Sequence, residues 1–107
     1  MAILKSKLSL EDFAASVAQP VVPDHFSPAL RALWFLKKGD WEKAHECAQK
    51  DEGPDGSWVH ALLHRIEGDE ANADYWYGQA GKKKPDVSTD QEWSEITRDL
   101  LGGRHEF

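Results

Sequence analysis

In the stretch SWVHALLHRIEGD, residues 57–69, His60 and His64 stand four apart and Glu67 follows three residues later. On a helix this spacing puts the side chains on one face about a turn apart, and two imidazoles so placed can serve one metal ion. A third ligand is available from Glu67 or, on a neighbouring hairpin, from His45. Such a centre would make the chain a small metal-binding enzyme built on His60, His64 and Glu67. It would not be the protease type, because the HExxH motif needs a glutamate directly after its first histidine and Ala61 stands there. The competing reading is packing: both rings face the following helix and lie against Trp76 and Tyr77 as neutral, hydrogen-bonded imidazoles. Packing is the leading expectation, also for His45, which shares a helical stripe with Trp41, Ala44 and Ala48. No cofactor is expected beyond that candidate metal ion.

The triplet YWY at 75–77 offers a second kind of chemistry. Successive helical residues point about 100° apart, so the three rings cannot all face inward. An outward ring with Arg65, Asn72 and Gln79 nearby forms a polar and aromatic surface suited to a peptide or a partner helix. Asn72 and Gln79 are seven apart, two turns along one face. The expected binding residues are therefore Arg65, Asn72, Tyr75, Trp76 and Gln79, and the expected function is non-enzymatic binding of a protein or peptide. The plainer alternative is a face that merely ends a short solenoid.

Bulk properties narrow the field. A chain of 107 residues suits a single domain, 1–107, and its five tryptophans are large units for one core. A net charge of -6 argues against nucleic acid as a partner, and the Lys82–Lys84 run beside Pro85 reads as a solvated loop. No window approaches the ~20 apolar residues of a membrane span. The lone Cys47 has no internal partner and reads as a small buried residue. The first twenty residues lack the apolar stretch of a signal peptide, so a cytoplasmic location is expected.

The elements that must position these residues are helices. Ser9 caps the first, with Asp12 completing a capping box, and this helix stops before Pro20. A proline-containing connector carries His25, and Ser27 with Pro28 opens a second helix to about Lys38. The third is WEKAHECAQK, the fourth is capped by Ser57, and the fifth, EANADYWYGQA, ends at Gly81. Thr89 and Glu92 form a capping box for the last, which closes at Gly102 and Gly103, leaving His105 in an exposed tail. Nothing alternates as a strand does.

Two of these helix pairs echo each other: GDWEKA at 39–44 recurs as GDEANA at 68–73. Each copy turns a hairpin, about 28–52 and 57–81. Gly and Asp make the tight turn and cap, Ala44 and Ala73 permit close helix approach, and Ala32 and Ala61 precede their glycines by seven residues. On these residues the chain resembles the tetratricopeptide-repeat superfamily. In the second copy Tyr77, Ala80 and Pro85 take that family's aromatic, small and closing-proline positions; the first has Ala48 and Asp51 where the aromatic and the small residue belong. The shift from Gly39 to Gly68 is shorter than the family's repeat of about 34 residues. The string DGSWVHALLHRIEGDEANADYWYGQAG also resembles a group of short uncharacterised microbial helical-repeat proteins. The resemblance implies an all-α fold of two tetratricopeptide-like hairpins flanked by N- and C-terminal helices. Two repeats leave apolar edges, so a homodimer is a further expectation.

Overall fold

The computed structural model describes residues 8–102, and among these the chain is helical without strands. Six helices follow in order: α1 (Leu10–Ser16), α2 (Pro28–Lys38), α3 (Trp41–Gln49), α4 (Pro54–Ile66), α5 (Glu70–Ala80) and α6 (Thr89–Leu100). Helix α2 folds back on α3 and α4 on α5, while α3 also lies against α4. Helix α6 returns across α2 and α4, and α1 touches α2 and α6.

The two tight turns share one geometry. Gly39 and Gly68 adopt φ of 96° and 85°, a left-handed conformation that costs glycine nothing. Asp40 then caps α3 by accepting from the Lys43 N–H, and Asp69 caps α5 by accepting from the Asn72 N–H. The Asp40 N–H reaches back to the Phe35 carbonyl, and the Asp69 N–H to that of His64. Ala32, Ala44, Ala61 and Ala73 are all fully buried, as close helix contact requires.

One main core gathers side chains from five helices, among them Phe13, Leu33, Trp34, Val59, Leu62, Leu63, Trp93 and Ile96. Helix α5 stands apart and joins a smaller cluster of Ala61, Ala73 and Tyr77. Three of the five indole N–H groups donate within the fold: Trp34 to Ser16 Oγ, Trp41 to the Leu63 carbonyl and Trp93 to the Leu33 carbonyl, all at 2.9–3.0 Å. These bonds remove the penalty of burying a polar tip and fix how the helices cross.

Several boundaries differ from the sequence reading. Ser9 and Ser27 cap as expected, each accepting the N–H three residues on. Helix α4 begins a turn before Ser57, with Pro54 at its first position and Gly53 as its cap. The fixed φ of proline starts the helix, and Ser57 already donates its N–H to the Gly53 carbonyl at 3.2 Å. Helix α6 is capped by Ser88 rather than Thr89, through the Gln91 N–H at 3.0 Å. Glu92 therefore has no part in a capping box. Helix α1 ends at Ser16, whose hydroxyl donates to the Phe13 carbonyl at 2.6 Å. Cys47 is only half-buried. Gly103, His105 and the first seven residues lie outside the described residues.

Candidate functional site

Helix α4 presents His60 and His64 toward α3, which brings His45 against both. His45 Nε2 and His60 Nε2 are 2.9 Å apart, a hydrogen bond between two imidazoles. The His60 and His64 rings stack at 4.9 Å with an interplanar angle of 20°, and His45 meets both nearly edge-on. Each end of the cluster is closed by an indole: Trp41 stacks on His45 at 5.0 Å and Trp76 on His60 at 4.0 Å. His64 Nδ1 contacts Glu67 Oε2 at 2.7 Å. One ring nitrogen from each of the three histidines lies within 4.8 Å of the other two.

Burial, with the neighbouring His45 and His64, pushes the His60 pKa down to about 4. Burial and His64 also lower that of His45, against a smaller opposing pull from Glu67 and Glu46. Both imidazoles are therefore neutral at neutral pH, and one donates to the other across the 2.9 Å contact.

The packing partner expected from α5 is half present. Trp76 covers His60, but Tyr77 turns to the other side of α5 and donates to both carboxylate oxygens of Glu92, at 2.8 and 2.7 Å. Arg65 reaches the same carboxylate at 2.6 Å and also donates to the Val87 carbonyl. Glu92 is only 1% exposed. Burial and the hydrogen bond to Glu92 raise the Tyr77 pKa. Burial opposes the charge on Arg65, but the Glu92 hydrogen bond and charge outweigh it and its pKa rises. Arg65 is thus committed to holding α6 on α4, away from the surface it was expected to serve.

Beside the histidines a groove of about 430 Å³ runs between the end of α3 and the outer face of α5. Gln49, Glu52, His60, Tyr75, Trp76 and Gln79 are among its walls. Tyr75 is 57% exposed, the outward ring required of the triplet. Asn72 is not a wall; its amide donates to the Asp69 carboxylate at 3.2 Å. Three of the five expected binding residues therefore come together here, and Arg65 and Asn72 do not. The Lys82–Lys84 run lies in the loop after α5, with Lys84 paired to Glu70 and Lys82 4.2 Å from the centre of the Trp58 ring.

Two participants escaped the sequence. Asp51 takes both the Ala29 and Gly53 N–H groups, tying α2 to the start of α4. Glu92 matched a capping pattern that concealed its buried role. Compared with known proteins, the chain matches no family model, and no curated protein or solved structure matches it at a significant level. No helix among the described residues is long and apolar enough to cross a membrane.

Proposed function

We propose that the chain is a non-enzymatic binding module of two tetratricopeptide-like hairpins, which holds a segment of another protein in the groove between α3 and α5. The observation that carries this reading is the groove itself, where Tyr75 is exposed beside Trp76 and Gln79. Tyrosine and tryptophan are among the residues that interface centres favour. The matched glycine–aspartate turns and the four buried alanines support the two-hairpin reading. Gln49 and Gln79 offer amides to a peptide backbone, and Glu52 is a carboxylate on the same rim. A segment with one basic side chain beside an apolar one answers that chemistry.

The test is selection from a random peptide library displayed on phage, followed by affinity measurement on the peptides enriched. Basic–aliphatic sequences should emerge, with binding lost in Tyr75→Ala and weakened in Gln79→Ala at unchanged melting temperature. Asn72→Ala should bind as the parent does. Peptides that bind Tyr75→Ala as tightly as the parent, or no enrichment at all, would remove the groove from consideration.

A further inference from the structure

We infer that His45, His60 and His64 form a site for one late first-row divalent cation of the zinc class, at the edge of the groove that His60 helps to wall. Three imidazoles reach one point from two helices, with ring nitrogens within 4.8 Å of each other. A tetrahedral ion with bonds of about 2.0–2.1 Å spaces its ligand nitrogens roughly 3.3 Å apart. The 2.9 Å between His45 and His60 must open slightly and the longer separations must close by at most ~1.5 Å, shifts within reach of χ rotations.

The tautomer logic points the same way. With His64 Nδ1 held on the Glu67 carboxylate, Nε2 is the nitrogen left to bind an ion, and the carboxylate fixes the orientation of the ring. Glu67 is therefore a positioning residue, not the ligand that its spacing from His64 suggested. Ligands of imidazole nitrogen alone suit zinc, cobalt, nickel or copper and reject calcium and magnesium, which need oxygen. Three protein ligands leave a fourth position to water. Trp41 and Trp76 wall the cluster, limiting how far His45 and His60 can swing away.

A rival set exists on the surface, where His64, Glu67 and Asp69 also bring ligand atoms within 4.8 Å. The experiment separates the two. Full-length protein without a polyhistidine tag is stripped with chelator and titrated with Co2+. One ion per chain should bind, giving the visible absorption of a low-coordinate centre; Zn2+ should displace it, and Zn2+ alone should raise the melting temperature. His45→Gln, at a half-buried position, should weaken binding more than about tenfold and abolish the Zn2+-induced rise over its own apo melting temperature, and Glu67→Gln should weaken binding by about 10–100-fold. Absence of micromolar binding by the parent would overturn the site. So would binding that survives His45→Gln, or that Asp69→Asn removes while His45→Gln does not.

Discussion

Protonating His60 would place a charge beside His45 and His64, against the Trp76 ring and with 4% of the residue in contact with solvent. The unfolded chain has no such obstacle and titrates near ~6.5. Because the folded pKa is pushed down to about 4, the unfolded state binds the proton first as pH falls. The metal-free fold therefore has its full stability above about pH 6.5 and loses up to ~3 kcal/mol on the way to pH 4. His45 shifts in the same direction and adds to the loss, while Glu67 and Glu46 pull against it. Urea unfolding at pH 7.5, 6 and 5 should show this slope, and His60→Gln should flatten it; a slope untouched by that change would place the sensitivity in other groups. The Tyr77–Glu92–Arg65 network is the second residue-scale test. Tyr77→Phe removes one hydrogen bond to a charged acceptor and should cost about 1.5–3 kcal/mol. Glu92→Ala strands Arg65 as well and should cost about 3–5 kcal/mol in the same assay. Of this chemistry, the pairing of His60 with His64 could be read from spacing alone, since one helix fixes it. His45 stood beside Glu67 as one of two candidate third partners, and spacing could not choose between them, because the contact depends on how α3 crosses α4.

At the scale of elements, tightness at the start of α4 decides what the sequence tolerates. A Cβ on Gly56 would lie 2.1 Å from the Asp51 carbonyl oxygen and 2.6 Å from Asp51 Cβ, and backbone cannot yield there cheaply. Gly56→Ala should thus destabilise by about 1–3 kcal/mol through overpacking, although alanine is the better helix former by about 1 kcal/mol. Gly78, inside α5, is the counterpart: nothing lies within 4 Å of a Cβ there, so Gly78→Ala should stabilise by up to ~1 kcal/mol. Thermal melts of the two variants should move in opposite directions, and equal shifts would refute the close approach of α4 to Asp51. Helix number, type and approximate ends were legible because Ser9, Ser27, Asp40 and Asp69 all cap where their residue types suggest. The start of α4 and the cap of α6 were not. The fixed φ of Pro54 opens α4 a turn before the expected Ser57, and the Ser88 hydroxyl takes the capping bond one residue before the expected Thr89.

For the molecule as a whole, α6 holds the rest together. It contributes Trp93 and Ile96 to the main core, and Glu92 to the bond with α4 and α5. Truncation before Ser88 should therefore abolish cooperative folding, since burying each large apolar side chain contributes ~1.5–3 kcal/mol and a small domain has only ~5–15 kcal/mol in total. A truncated chain that melted like the parent would contradict this. The same helix sets an order of assembly. The glycine–aspartate turns join helices that are adjacent in sequence, so both hairpins can form quickly, whereas the bond from Trp93 to Leu33 spans 60 residues. Closing that loop carries the larger entropic cost and belongs to the later part of folding. In stopped-flow refolding, helical signal should appear before the Trp93 ring becomes protected from acrylamide. During synthesis the hairpins emerge from the ribosome with their core still open, and only the arrival of α6 seals it.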